Sequence, residues 1–297
     1  MSQKVTKAVI PAGGFGTRFL PSSKSIPKEM FPVGNLPIIY HVVKECVDAG
    51  IKDIIIIGSH HKHAVENFFS FSPMLEEYYI KIGKKEEVKR LREIADMANF
   101  IFVNTEPPYG NGGCLNAIRH LVKDEPFLVA WGDEMFLTTS KKNRVKQCLE
   151  TFARYNMPVI STIKIDNPKM RSRYGMVKLK KFNGEKSIKI IESISEKPKF
   201  GKEPSAYASH GAYILTNDFF SALDKTKPGA NGELWISDVI NKMKEKTGLL
   251  AKIIDGGIYL DCGVPSEYLY SQIVYRLLTE KNTKDVKNRI KKILKDY

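Results

Sequence analysis

Residues 8–18, Ala8-Val9-Ile10-Pro11-Ala12-Gly13-Gly14-Phe15-Gly16-Thr17-Arg18, constrain this chain more than any other stretch. The apolar run reads as a buried strand, and the glycines behind it let the backbone turn tightly with no side chain in the way. Successive N–H groups in such a loop can converge on an anion, a nest that suits a polyphosphate. Arg18, Lys24 and Lys28 follow at once, so cationic side chains reinforce a backbone already shaped for phosphate. The glycine spacing is not the dinucleotide fingerprint, because the third glycine comes too early, and no Gly-Lys-Ser/Thr of a P-loop follows. Taken alone, a Gly-rich turn after a strand also fits a plain tight turn.

Strand-like runs recur between helical patterns: Val5–Ile10, Asp53–Ile57, Phe100–Val103, Phe127–Ala130 and Val159–Ile163. Helical spacing is found over Pro37–Ala49, His63–Phe69 and Leu115–Val122. This alternation predicts a Rossmann-like α/β fold, a mixed, mostly parallel sheet flanked by helices, with ligands at the carboxyl edge. The later part is richer in short β runs, Met176–Lys180, Ile188–Ser193 and His210–Leu215, and predicts a smaller β-rich portion. No internal repeat or low-complexity linker divides the 297 residues, so one domain is expected.

A formal charge of +14 admits nucleic acid, anionic membrane or phosphorylated substrates as partners. Much of the excess lies on apparent helix faces and in the tail from Lys281 to Lys295. There Val286, Ile290, Ile293 and Leu294 keep helical spacing. A solvated face of an amphipathic helix is favoured over a nucleic-acid stripe, since no nucleic-acid motif or interleaved aromatic platform is present. Neither nucleic acid nor membrane is therefore expected as a partner. The longest aliphatic run, Ile54-Ile55-Ile56-Ile57, is far too short to span a bilayer. Cys46, Cys114, Cys148 and Cys262 are scattered without a CxxC pair, and Met1-Ser2-Gln3-Lys4 leads straight into the first strand. Reduced thiols and a cytoplasmic location are expected. His60-His61-Lys62-His63 lacks a nearby cysteine or a spaced third ligand, and a helix start is favoured over a metal site.

The Gly-rich string, its Thr17-Arg18 pair and the segment Pro27-Lys28-Glu29-Met30 resemble the signature of the sugar-1-phosphate nucleotidyltransferases. The likeness is closest to the bacterial-type UTP–glucose-1-phosphate uridylyltransferases and continues through most of the chain. It implies the nucleotide-diphospho-sugar transferase type of fold. Residues 1–135 would mainly bind nucleotide, 136–275 mainly sugar phosphate, and 276–297 would form a basic C-terminal helix. The charged, periodic segment from Met74 to Asn99 matches a helical insertion that helps subunits associate in the family. A homodimer or homotetramer is thus implied, although the segment read alone is equally a solvated two-helix excursion.

The same resemblance assigns residues. Ala12, Gly13, Gly14, Gly16, Thr17, Arg18 and Lys28 would bind the nucleotide, with Arg18 on the departing pyrophosphate and Lys28 near the reacting centre. Asp133 in Gly132-Asp133-Glu134 and Asp261 in Asp261-Cys262-Gly263 would ligate Mg²⁺, and Arg18, Lys28 and Asp133 form the expected catalytic set. The family commonly has Gly-Asp-Asp where this chain has Gly-Asp-Glu. Gly175, Glu196, Lys197 and Ser209 would form the sugar-phosphate side, helped by the segment Gly232 to Asp238. Neighbours on a strand point to opposite faces, which gives Glu196 and Lys197 separate tasks. Thr105, Gly110 and Gly112 fall in the base-reading region, with Thr105 where the family has a Gln that reads the pyrimidine edge. A hydroxyl cannot offer both the donor and the acceptor of an amide at that reach. His210 departs from the family pattern, and the resemblance assigns it no role.

The implied reaction is Mg²⁺-dependent: UTP and glucose 1-phosphate give UDP-glucose and pyrophosphate, by in-line attack of the sugar phosphate on the α-phosphorus. The Thr105 departure leaves CTP, dTTP or another hexose 1-phosphate open. A non-catalytic sugar-nucleotide-binding regulatory subunit is the alternative from another class.

Overall fold

The computed structural model describes residues 3–105, 110–229, 232–281 and 283–296. In chain order its strands are β1 (Lys7–Pro11), β2 (Pro32–Val33), β3 (Leu36–Pro37), β4 (Asp53–Gly58), β5 (Asn99–Asn104), β6 (Phe127–Val129) and β7 (Glu134–Thr138). They continue as β8 (Val159–Lys164), β9 (Gly175–Lys181), β10 (Ile188–Glu196), β11 (Tyr207–Leu215), β12 (Leu250–Ile253) and β13 (Gly257–Asp261). The helices are α1 (Ile38–Asp48), α2 (His63–Phe69), α3 (Pro73–Lys81), α4 (Lys85–Ala95), α5 (Gly110–Gly113) and α6 (Arg119–Val122). The rest are α7 (Arg144–Tyr155), α8 (Pro168–Arg171), α9 (Asp218–Leu223), α10 (Ile236–Thr247), α11 (Pro265–Thr279) and α12 (Lys284–Asp296).

Nine strands form one mixed sheet in the order β5-β4-β1-β6-β11-β8-β12-β10-β9. The first four are mutually parallel. β11 then runs antiparallel to both β6 and β8, and β10 antiparallel to β12 and β9. The parallel half carries the Gly-rich loop, and the antiparallel pairings are concentrated in the β-rich later part.

The isoleucine run shows why the strands stand where they do. Side chains alternate along a strand, so Ile54 and Ile56 enter one core while Ile55 and Ile57 enter the other. Each such burial contributes about 1.5–3 kcal/mol. One face is covered by α1, α2 and α7 through Val43, Phe69, Cys148 and Phe152. The opposite face is covered by residues 115–122, α9 and α10 through Leu115, Phe219, Val239 and Met243. The segment Leu115–Val122, expected as one helix, is a 3-10 turn over Cys114–Ile118 followed by α6. Side chains three apart align on a 3-10 turn, which lets Leu115 and Ile118 share the core side.

A third, small core of Val33, Ile38, Met135, Leu260 and Cys262 fastens β7 and β13 beneath α11. Their antiparallel register sets Asp261 opposite Glu134. Arg144, at the start of α7 and fully buried, donates to Glu45 of α1 at 3.3 and 2.9 Å and ties the two helices together. Asn143 caps α7 by accepting from the Lys146 N–H at 2.8 Å.

The Met74–Asn99 segment is the helix pair α3 and α4, joined by Arg92 donating to Glu76 at 2.9 Å. Phe71, Met74, Tyr78, Ile80 and Ile82 are left exposed there. The C-terminal basic helix is α12; residues 276–279 belong instead to α11. No described helix is long and apolar enough to cross a membrane.

Candidate active site

The carboxyl ends of the parallel strands open into a cavity of about 600 Å³ that runs across the junction of the two halves. Its floor is the Gly-rich loop. Gly13 packs so close to β4 that a Cβ there would lie 3.3 Å from the Gly58 carbonyl oxygen. Gly16 takes φ +65, which an L side chain rarely adopts, and starts the 3-10 turn Thr17–Phe19. Gly13, Gly14, Gly16, Thr17 and Arg18 all line the cavity. Ala12 does not: it is buried, and its N–H donates to the Ile57 carbonyl at 2.7 Å as a continuation of the sheet. Lys24 is exposed outside the cavity.

Arg18 reaches across the mouth, its Nη1 3.4 Å from the carbonyl oxygen of Gly263. Lys28 donates to Asp133 Oδ2 and stands 3.9 Å from Glu29 Oε1. Burial works against the Lys28 ammonium, but Asp133 and Glu29 outweigh it and hold its pKa well above the usual lysine range. Burial likewise works against the Asp133 carboxylate, and the Lys28 charge prevails to hold it below the usual range. Glu29 is itself buried and accepts from Lys62 Nζ at 2.7 Å. The His60-His61-Lys62-His63 run thus supplies a lysine that fixes the loop behind Lys28. Sequence reasoning missed both Glu29 and Lys62, because nothing local marks a partner 33 residues away.

Asp261 accepts from the Gly263 N–H at 2.9 Å and from the Tyr174 hydroxyl at 3.3 Å. Burial raises its pKa, and the neighbouring Asp133 adds to the rise. The two carboxylates converge on Gly263, where a Cβ would lie 2.6 Å from Asp133 Oδ2 and 3.3 Å from Asp261 Oδ1. Two carboxylates lining one cavity suit Mg²⁺, which keeps several waters and takes few protein oxygens beside substrate phosphates. Among the described residues no ready-made cage of three or more His, Cys, Asp or Glu exists. Glu134 also faces the cavity; it accepts from the Gly211 N–H at 3.1 Å, and burial with the Asp133 charge pushes its pKa up to about 8. Only its departure from the usual Gly-Asp-Asp marked it in the sequence.

The far wall joins three strands. Gly175 pairs with Glu196 in one register and with Ser209 in the other. Ser209 Oγ donates to the Gly175 carbonyl at 3.1 Å, and a Cβ on Gly175 would meet Ser209 Oγ at 2.9 Å and Glu196 Oε2 at 3.1 Å. Glu196 and Lys197 do not point to opposite faces, contrary to expectation. β10 ends at Glu196, and Lys197 turns to φ +42, so both side chains line the same cavity. Lys197 Nζ lies 4.3 Å from the centroid of Trp235, a cation–π contact that parks the charge on the wall. His210 is fully buried behind that wall, stacked on Tyr259 with centroids 3.8 Å apart.

Thr105, Gly110 and Asn111 line the cavity as well. Thr105 donates its N–H to the Gly58 carbonyl at 3.0 Å and its hydroxyl to the same oxygen at 3.3 Å. Gly110 lines the cavity at φ +63, with Leu234 O only 2.5 Å from where its Cβ would be. Gly112 is buried behind the wall, closed against Ile236, whose N would lie 2.7 Å from a Cβ. Asn111, which the sequence reading passed over, faces the cavity and accepts from the Ile236 N–H at 2.9 Å through Oδ1. Residues 106–109 of this region lie outside the described residues.

A family model described as nucleotidyl transferase matches residues 7–275. A UTP–glucose-1-phosphate uridylyltransferase of Bacillus subtilis (strain 168), YngB, is 34% identical over 259 residues, covering 87% of this chain and 86% of that one. UTP–glucose-1-phosphate uridylyltransferase 2 of Staphylococcus saprophyticus is 34% identical over 292 residues, 98% of this chain and 99% of that one. Among solved structures, a UDP-glucose pyrophosphorylase complexed with UDP-glucose superposes with a TM-score of 0.82 at 29% identity, covering 91% of this chain and 98% of that chain. A UTP-bound UGPase from Acinetobacter baumannii superposes with a TM-score of 0.85 at 29% identity, covering 96% and 98%.

Proposed function

The chain belongs to the nucleotidyl transferase family, in its UTP–glucose-1-phosphate uridylyltransferase branch, and from that premise we propose that it joins UTP and glucose 1-phosphate into UDP-glucose with release of pyrophosphate. The single observation that carries the reading is the convergence of Lys28, Asp133 and Asp261 on one cavity that also holds Glu196 and Lys197. Transferases of this chemistry must hold two phosphorylated molecules against their mutual repulsion. The nucleophile is already an anion, so positioning and charge stabilisation do the work and no general base is needed.

In this mechanism the Gly13–Thr17 backbone and Arg18 hold the β- and γ-phosphates, which leave as pyrophosphate. Lys28 releases Asp133 and turns its ammonium to the α-phosphate, where negative charge develops. A centrally placed cation of this kind contributes about 3–4 kcal/mol to the transition state. Lys197 leaves the Trp235 face to pair with the sugar phosphate, and Glu196 accepts from sugar hydroxyls. Asp133 and Asp261 would hold Mg²⁺, which when bound neutralises phosphate charge and orients the in-line geometry. The enzyme works in the cytoplasm, where its four reduced thiols persist. It self-associates as a homodimer or homotetramer, and the apolar side chains exposed between Phe71 and Ile82 favour that assembly.

The test is pyrophosphate release with glucose 1-phosphate and Mg²⁺, run in parallel with UTP, dTTP, CTP, ATP and GTP. Preference for UTP is expected. Turnover with another nucleotide alone would keep the chemistry and reassign the product, and no release across a panel of sugar phosphates would overturn the reading.

A further inference from the structure

β11 leaves its ladder with β8 at one place. Ser209 pairs with Thr162 and Tyr213 with Ile160, so residues 210–212 stand opposite the single residue Ser161. Bulges of this kind bend a strand and re-aim its side chains, and they are frequent beside active sites. The backbone groups that a buried bulge takes out of the ladder need other partners.

Two side chains supply them. Ser161, fully buried, donates its hydroxyl to the His210 carbonyl. The Gly211 N–H donates to Glu134 Oε2 at 3.1 Å. Gly211 has no room for a side chain: a Cβ would lie 2.5 Å from Trp131 Cδ1 and 3.0 Å from the Trp131 N. The bulge is thus pressed against the turn that carries Asp133 and is held there by Glu134. Among the described residues the Gly211 bond is the one hydrogen bond of the Glu134 carboxylate, since His210 Nδ1, 3.9 Å away, is out of hydrogen-bond reach.

This bond joins the two sides of the cavity. Glu134 follows Asp133 in the chain and pairs in register with Asp261. Two residues before Gly211, Ser209 donates to the Gly175 carbonyl at 3.1 Å and lines the far wall. We propose that Glu134 is a positioning residue: by accepting the Gly211 N–H it fixes the β11 bulge, and with it Ser209 and Gly175, at a set distance from Asp133 and Asp261. Glu134 acts as a hydrogen-bond acceptor and not through its charge. An amide oxygen accepts from an N–H as a carboxylate does, and a third negative charge beside Asp133 and Asp261 opposes the binding of phosphates. The consequence for glucose 1-phosphate rests on the uridylyltransferase reading, which gives Glu134 no task of its own.

The experiment compares the wild type, Glu134→Ala and Glu134→Gln by KM for each substrate and by hydrogen exchange of the amides of residues 207–213. Glu134→Ala is expected to raise KM for glucose 1-phosphate at least tenfold with KM for UTP within twofold, and to speed exchange in 207–213 at least tenfold. Glu134→Gln keeps an acceptor at the same reach and is expected to bring both back to within threefold of wild type. Should Glu134→Ala not fold, Ser161→Ala releases the other side of the bulge and is expected to give the same KM split and faster exchange. A loss in Glu134→Gln equal to that in the alanine variant would overturn the proposal in favour of a charge or a metal ligand. Wild-type KM and exchange in Glu134→Ala, or in Ser161→Ala where that variant replaces it, would overturn it as well. Exchange is read without turnover, so a wild type inactive with UTP would overturn the uridylyltransferase reading while the exchange data still decide the role of Glu134 in the bulge.

Discussion

Lys28 and Asp133, 105 residues apart in sequence, meet as a hydrogen-bonded ion pair on the cavity floor. The pair links the segment behind the Gly-rich loop to the carboxylate in the turn after β6. In the proposed mechanism this cation neutralises charge on the α-phosphate. Because Lys28 is held above the usual lysine range, it stays charged at every working pH.

Lys28→Met removes that cation while keeping the apolar stem. We expect kcat to fall by about 10²–10³, the cost of one centrally placed charge-stabilising group. The thermal midpoint should fall as well, because Asp133 loses its part-buried partner. Pyrophosphate release and a melting curve on the same sample check both, and near-normal kcat would dismiss the assignment.

Asp133→Asn and Asp261→Asn keep size and shape but give up a negative charge beside Gly263. Each is expected to shift the Mg²⁺ titration of activity upward by tenfold or more. Mn²⁺ binding followed by paramagnetic resonance in the presence of UTP gives a readout independent of turnover. An unchanged titration for both would remove them as ligands.

Gly175→Ala places a methyl 2.9 Å from Ser209 Oγ and 3.1 Å from Glu196 Oε2. Both neighbours are side-chain tips that can yield, so the fold should survive while the sugar wall is displaced. KM for glucose 1-phosphate is expected to rise at least tenfold with KM for UTP within twofold. Equal effects on both substrates would place the residue elsewhere in the site.

His210 predicts an acid limit. Burial, helped by the Arg144 charge, pushes its pKa down to about 3, so it is neutral when folded. Unfolded, it takes a proton near pH 6.5, and the unfolded state therefore binds more protons as pH falls below that value. The His210 contribution to stability is lost on acidification from about 6.5 toward 3, at up to about 1.4 kcal/mol per pH unit, against the opposite contribution of Glu134. His210→Phe keeps an aromatic ring against Tyr259 and removes the titration. Melting curves from pH 7 to 4.5 should fall less steeply for the variant, and parallel curves would exclude His210 as the source.

Much of this protein was legible in one dimension. The helix His63–Phe69 and the strand from Asp53 onward follow from side-chain period, because alternation and helical spacing are local properties of the chain. The Gly-rich loop was legible for the same reason: Gly16 needs a conformation that other residues avoid. The opposite-face expectation for Glu196 and Lys197 failed where an unexpected positive φ at Lys197 ended the strand. Ala12 stood in the right motif, yet the sheet had already claimed its N–H.

Local spacing along the chain sets the alternation of strands and helices, the Gly-rich loop and the cationic and acidic residue types available for chemistry. Each depends on neighbours a few positions apart. The partners come from packing in three dimensions: Lys62 with Glu29, Lys28 with Asp133, Asp261 with Tyr174, and the Asn111 amide with the Ile236 N–H. Hydrogen bonds and Coulomb forces act over a few ångströms in space whatever the separation along the chain. Which donor meets which acceptor is therefore fixed when the strands and helices pack, not before.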